Sequence, residues 1–314
     1  MRSIRVWVLA TALTVAAGGG GLVVAHLSSD DPAPAWAAPD SPPAAAVVPP
    51  SPAASPPSAG PTAAQLTAAD AQLAADRAKS VKQLNAALKS VKGDFSVAVH
   101  DRRAGLRYVH RGSVKFDTAS IVKVQVLTCM LLKAQDAGRG PTSAEMKLAR
   151  PMIRLSDNNA TTSLYQRIGG RTAVTKCNKR LGLTQTVVNS RWGLTRTTAA
   201  DQIRLLEELV DTRGPLNASS RKTAFTLMNT VDKAQDWGVP VVARTGEIFT
   251  VKNGWDTRTA DGGLWAVNTI GRITSKNGKV DVSVVVLSRR NKNYRSGIAL
   301  VERIAGLTRQ HLRY

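Results

Sequence analysis

The sequence predicts an α+β fold: a five-stranded antiparallel sheet flanked by helices, with an inserted all-helical lobe. Three observations carry that expectation. Phe95–His100 and Gly105–His110 read as two strands of a hairpin around Arg102-Arg103-Ala104. Ser143 to about Asn229 is helical in character, with breaks at Asp157, Gly169-Gly170, Gly182, Trp192-Gly193 and Gly214-Pro215. Beyond it Val and Ile concentrate in Phe249–Lys252, Leu264–Thr274 and Lys279–Leu287, and an amphipathic helix from Ile298 to about Leu312 closes the chain. Strands at both ends with a helical insert between them make one sheet and a second lobe beside it.

The chain does not begin in that fold. Arg2 and Arg5 precede an apolar run from Val6 to Ala25, the length of a membrane span and somewhat long for a signal-peptide core. Gly18 to Gly21 weakens it as a permanent helix, and Val23-Val24-Ala25 or Ala35-Trp36-Ala37 offers a small-residue cleavage site. Residues 1–27 are therefore expected to be a signal peptide or signal anchor, cleaved or retained. No cysteine follows the run closely, which argues against a bacterial lipid anchor. Residues 28–62 are almost all Ala, Pro, Ser and Val, a composition that cannot bury a core and prefers extended polyproline conformations. They read as a tether holding a secreted domain, residues 63–314, or keeping it at the outer face of a membrane.

Charge narrows the partners. The chain carries +21, and because residues 1–62 contribute −1, the folded part carries +22. Aromatics are only 4% and no groove-reading or base-stacking motif is present, so nucleic acid is not an expected partner. Acidic cell-wall polymers and anionic lipids are the polyanions an exported protein meets, alongside the plain reading of a solvated basic surface. Cys129 and Cys177 fit either a disulfide or two free thiols. No cysteine or histidine spacing points to a metal, and no cofactor motif occurs. His26, His100, His110 and His311 lack a partner motif, so hydrolytic chemistry here is expected not to use histidine.

Within the folded part, Leu66, Leu73, Leu84 and Leu88 recur at helical spacing over Thr62–Val91 and predict one long helix. The hairpin follows, and then the stretch around which the chain is organised, Phe116-Asp117-Thr118-Ala119-Ser120-Ile121-Val122-Lys123. Its continuation to Leu132 is apolar around the whole helix surface, so that helix should be buried on most sides. If it starts near Ala119, Ser120 and Lys123 share a face and the amine reaches the hydroxyl. A lysine removed from water has a lowered pKa and can take a proton from a serine, and a helix N-terminus favours negative charge on oxygen. A polar pair at the head of a buried helix must be hydrogen-bonded to be tolerated.

Two further motifs complete a pattern. Ser156-Asp157-Asn158 stands in the helical insert, and Lys252-Asn253-Gly254-Trp255 precedes the second late strand. With Ser120-x-x-Lys123 they resemble the penicillin-recognising serine hydrolases, above all the class A β-lactamase-like group, over essentially all of residues 63–314. Phe116 and Thr195-Arg196-Thr197-Thr198 before Asp201 look like further features of that family. The resemblance implies a β-lactamase/transpeptidase-like fold with the helical lobe at about residues 137–230. It implies that Ser120 is the nucleophile, Lys123 its base, and Ser156 a proton relay to the leaving nitrogen. Asn158 would bind a substrate amide, Lys252 a substrate carboxylate, and Asn253, Gly254 and Trp255 would line the substrate site. The N–H groups of Ser120 and Trp255 would form an oxyanion hole.

Two departures shape the functional expectation. The family's third motif usually has Thr or Ser where this chain has Asn253; Arg244-Thr245-Gly246 is a rival, but it lies far before the Leu264 strand. Class A enzymes also carry a glutamate that activates the deacylating water, and between Asn158 and Ala200 this chain has no Asp or Glu. The loop at Thr184–Leu194 offers Asn189, Ser190 and Arg191 instead, while Glu207 and Glu208 in the next helix read as surface residues. The expectation is a serine hydrolase acting on β-lactam or peptide-like amide bonds through an acyl-enzyme at Ser120, with slow deacylation. A D,D-peptidase acting on peptidoglycan and a non-catalytic wall-binding homologue are the alternatives.

Overall fold

A computed structural model describes residues 63–314. The expected signal segment (1–27) and the linker (28–62) lie outside the described residues. Helix α1 (Ala63–Lys89) leads into the hairpin β1 (Asp94–Asp101) and β2 (Leu106–His110), then the two-residue strand β3 (Phe116–Asp117) and helix α2 (Val122–Asp136). The helical lobe holds α3 (Ser143–Arg154), α4 (Asn158–Ile168), α5 (Gly170–Arg180), the short strand β4 (Arg196–Thr197), α6 (Ala199–Glu208) and α7 (Ala218–Met228). Strands β5 (Glu247–Arg258), β6 (Leu264–Ser275) and β7 (Asp281–Asn291) and helix α8 (Tyr294–Leu312) end the chain. The five long strands form one antiparallel sheet, as expected, and its strand order is β2-β1-β7-β6-β5.

Burial explains why β7 reads as a nearly continuous apolar run. It is the middle strand, and both of its faces are covered. Val282, Val284 and Val286 pack with Leu84 and Leu88 of α1 and Val301 and Ile304 of α8. Val285 and Leu287 point the other way, into a core shared with α2 and the helical lobe. Successive residues of a strand face opposite sides, so a centre strand in a three-layer stack must be apolar at every position. The all-round apolar surface of α2 has the same origin, since twelve of its fifteen residues are buried. In α1, by contrast, Leu73 is exposed while Leu84 and Leu88 are buried, so the turns at Leu84 and Leu88 cover the sheet.

Several boundaries move from their sequence positions. β5 continues well past Lys252, because its pairing with β6 runs from Glu247 to Arg258. α8 begins four residues before Ile298, where Asn293 and Ser296 form a reciprocal cap. Glu207 and Glu208 are not surface residues. They are buried on α6, where Glu207 holds His100 at 2.9 Å and Arg107 at 2.5 Å, and Glu208 pairs with Arg204 at 2.7 Å. A local helical pattern could show the Arg204–Glu208 pair, which is four residues apart, but not that this face of α6 meets β1 or that His100 and Arg107 close over Glu207.

Cys129 and Cys177 form a disulfide joining α2 to α5, with a sequence separation of 48. A crosslink over a loop of that size removes chain entropy worth about 4 kcal/mol from the unfolded state. The double variant Cys129→Ser/Cys177→Ser is therefore expected to lose about 2–4 kcal/mol in equilibrium urea unfolding. A loss under about 1 kcal/mol would mean that packing alone holds α5 on α2.

Candidate active site

The head of α2 is built under strain. Ala119 has φ 45°, outside the region β-carbon-bearing residues favour, and residues 119–121 form a single 3₁₀ turn before the α-helix starts at Val122. Neighbouring segments hold that turn in place. Thr118 N–H donates to the Thr195 carbonyl at 2.8 Å, and the Asn268 amide donates to the carbonyls of Asp117 and Thr118 at 2.9 and 3.1 Å. β5 forms the edge of the sheet and lies against the turn through Gly254. A Cβ at that position would stand 2.8 Å from the Ser120 nitrogen and 2.7 Å from the Ile121 nitrogen, so only glycine allows the strand this close.

Lys123, one turn on, is fully buried. Its Nζ lies 2.9 Å from Ser120 Oγ, 3.0 Å from Ser156 Oγ and 2.8 Å from Asn158 Oδ1, and donates to the Ser156 carbonyl at 2.6 Å. Ser156 takes φ 60°, which turns both its carbonyl and its hydroxyl toward the amine, while Asp157 faces away and caps α4 through the Ala160 N–H at 2.7 Å. Burial lowers the Lys123 pKa from 10.5 to about 7, against an opposing pull from Asp157. An ammonium has three protons and no lone pair. A neutral amine can donate to the Ser156 carbonyl and Asn158 Oδ1 and still accept the Ser120 proton.

A second lysine approaches the same hydroxyl. Lys252 is fully buried, and its Nζ is 3.0 Å from Ser156 Oγ, 2.9 Å from the Asn253 carbonyl and 3.3 Å from Gln235 Oε1. Burial pushes its pKa well down and the Lys123 charge pushes it further. None of these partners is a carboxylate, and a charge on one amine disfavours a charge on the other.

Ser120 opens into a cavity of about 710 Å³, whose wall includes Asn158, Trp192, Trp255, Trp265, Ser190 and Asp256. The predicted residues are thus brought together but not all on one surface. Ser120, Asn158 and Trp255 line the cavity. Lys123, Ser156 and Lys252 form a hydrogen-bonded row behind the serine, and Gly254 fits β5 against it. Asn253 turns inward: it is 1% exposed, and its amide donates to the Gln235 and Trp237 carbonyls at 2.8 and 2.9 Å. It anchors the segment that carries Gln235 and is not part of the cavity wall.

Sequence reasoning missed Trp192, Trp265, Asp256 and Arg258. Trp192 was legible only as a break between helices; it stands 4.9 Å from Lys123 Nζ across its ring and donates its indole N–H to Thr162 at 3.1 Å. Arg258 is buried and holds the rim, pairing with Asp256 at 2.6 Å and Asp117 at 2.9 Å and donating to the Gly193 carbonyl at 3.0 Å. Tyr165 steadies the loop before it through the Asn189 carbonyl at 2.8 Å. Asp256 is the one carboxylate in the cavity wall, and it is already tied to Arg258.

Fold and site together describe a serine hydrolase with a lysine beside its nucleophile. Residues 143–312 match the Beta-lactamase enzyme family, and the chain belongs to that family. The matched span contains Ser156, Asn158, Lys252 and Trp255 and begins after Ser120 and Lys123. No curated protein matches the sequence. Among solved structures, PBP-A aligns at TM-score 0.64 with 18% identity, covering 75% of this chain and 96% of that one. A class A β-lactamase from Bacteroides cellulosilyticus aligns at TM-score 0.63 with 19% identity, covering 76% and 98%. The chromosome-encoded β-lactamase of Vibrio parahaemolyticus aligns at 0.62 with 18% identity, covering 74% and 99%. Likeness at this identity establishes a common fold.

Proposed function

We propose that this chain is an exported or membrane-tethered serine hydrolase that forms an acyl-enzyme at Ser120 with a β-lactam or a carboxylate-bearing peptide-like amide, and releases it slowly. The observation that carries the proposal is the buried Lys123 amine, 2.9 Å from Ser120 Oγ with its pKa lowered to about 7. Neutral Lys123 takes the Ser120 proton as Oγ attacks the carbonyl carbon. The resulting oxyanion is received by the Ser120 and Trp255 N–H groups beside the edge strand. The proton then passes from Lys123 through Ser156 Oγ, 3.0 Å away, to the leaving nitrogen, and the C–N bond breaks. Asn158 offers its amide to the substrate backbone from the cavity wall. A substrate carboxylate near Lys252 favours the charged form of that amine, because it supplies the counter-charge its surroundings lack.

Slow release follows from what surrounds the serine. The loop at 184–194 brings Ser190 and Arg191 to the cavity but no carboxylate, and Asp256 is held by Arg258. That balance suits a D,D-peptidase acting on peptidoglycan stems as well as a β-lactam target. A mutant of PBP-A, which shares this fold, is known as an acyl-enzyme complex with penicillin G. Export is supported by Arg2 and Arg5 ahead of the apolar run and by the disulfide, which persists in oxidising compartments. Among the described residues no helix is long and apolar enough to cross a membrane, so a tether would reside in residues 1–27.

Intact mass of the full chain, followed over hours with penicillin G, tests this reading. The expected result is an adduct of one penicillin that persists and is absent in Ser120→Ala. Unmodified protein beside intact penicillin would favour a wall-binding role without catalysis, and unmodified protein beside consumed penicillin would reveal a deacylating base.

A further inference from the structure

The positive charge of the folded part has a focus away from the serine. A cavity of about 280 Å³ lies where the ends of β5 and β7 meet the β3–β4 pair, and Lys115, Arg196, Arg258, Arg289 and Arg290 all line it. Its carboxylates are Asp117 and Asp261. Both are engaged: Asp117 accepts from Arg258 at 2.9 Å, and Asp261 from Arg290 at 2.9 Å. Arg289 is balanced from outside the cavity by Asp94 at 2.6 Å. That leaves Lys115, whose amine has no hydrogen-bond or ion-pair partner among the described residues, and Arg196, whose nearest carboxylate oxygen is 3.9 Å away. Arg290 also holds φ 57°, a left-handed conformation that an arginine adopts only where its surroundings demand it. Five cations drawn from four separate stretches of chain onto one small concavity outnumber its two carboxylates, and a further anion between them would reduce their repulsion.

We propose that this cavity is an anion site for a phosphate group, either free phosphate or the phosphodiester of an acidic polymer. Arg258 is further held by Asp256, so the charge left over belongs to the Lys115 amine and the loosely paired Arg196, and an amine and a guanidinium lining one cavity suit an anion with three or four acceptor oxygens better than a planar carboxylate, which one fork satisfies. The volume accommodates a phosphate with a short polyol on either side. The cavity shares Arg258 with the rim of the Ser120 cavity but does not contain Ser120, and it does not depend on the hydrolase reading.

Isothermal titration of the full chain with inorganic phosphate, and separately with a short poly(glycerol phosphate), tests the site in Lys115→Ala and Arg290→Gly. Glycine suits the left-handed backbone at 290, so that variant removes the cation without straining the fold. Lys276→Ala, in the exposed turn between β6 and β7, is the control. Each cavity variant is expected to weaken binding about tenfold, the control to change it less than about twofold, and binding to fall as salt is raised. Binding of both ligands, each competing with the other, assigns a phosphodiester polymer; binding of inorganic phosphate alone supports the cavity and assigns the free anion. No binding of either, or equal losses in Lys276→Ala and Lys115→Ala, would overturn the proposal in favour of diffuse surface charge.

Discussion

Lys123→Met is expected to slow covalent labelling of Ser120 by penicillin roughly 10²–10⁴-fold, the usual contribution of a positioned general base. Methionine keeps the length and burial of the side chain but removes the one hydrogen-bond partner that Ser120 Oγ has among the described residues. It leaves the Ser156 carbonyl and Asn158 Oδ1 without a donor, at about 1–3 kcal/mol each, and relieves the cost of a buried amine. The fold should survive, which thermal unfolding of the variant checks before its rates are compared. The pH dependence is the sharper test, because it reads the amine itself. With the Lys123 pKa lowered to about 7, the neutral fraction that can accept a proton falls about tenfold per pH unit below that value and saturates above it. Labelling of the parent chain should follow that curve, with an apparent value belonging to the Lys123–Lys252 pair rather than to either amine. A rate flat between pH 5 and 9, or a variant labelled as fast as the parent, would remove Lys123 from the base role.

Much of this arrangement was legible in the sequence, because it depends on local pattern. The buried α2 helix announces itself by apolar residues on every side, and Ser120 and Lys123 lie close because residues three apart on a helix do. The three late strands follow from runs of Val and Ile and the first two from the hairpin pattern, while the central place of β7 is set by long-range pairing with β1 and β6. What escaped was long-range. Trp192 and Trp265 come from different lobes and meet only at the cavity. Arg258 matters because Asp117, Asp256 and Gly193 converge on it from three segments. Glu207 reads as a surface charge because His100 and Arg107, which close over it, belong to the β1–β2 hairpin and reach it only through the packing of α6 on the sheet. Asn253 illustrates the reverse. Its motif position suggested substrate contact, yet the carbonyls of Gln235 and Trp237 claim its amide, and no local pattern places those carbonyls there.

Ser190→Glu is expected to shorten the lifetime of the penicillin adduct by roughly 10²–10⁴, the gain general-base assistance typically supplies. Ser190 is an exposed residue of the 184–194 loop, lines the same cavity as Ser120, and makes no side-chain hydrogen bond to any described residue. Its neighbours are fixed: Asn189 N–H donates to Thr195 Oγ1 at 3.2 Å, and Arg191 N–H to Asn189 Oδ1 at 2.9 Å, so the backbone carrying the new carboxylate is held on both sides. A glutamate there can orient a water toward the acyl carbon from the loop side, opposite the edge strand. Arg191, next in sequence, favours its ionised form, which is the form a base needs. Deacylation measured by intact mass after a penicillin pulse separates two explanations of slow release. If the adduct decays faster while the labelling rate is unchanged, the missing carboxylate is what makes the parent a slow hydrolase. Ser190→Gln serves as the control of equal size, and it should leave the lifetime as it is. An unchanged lifetime in Ser190→Glu would mean that water cannot reach the acyl carbon past Trp192, and that the tryptophan wall rather than the absent base sets the rate.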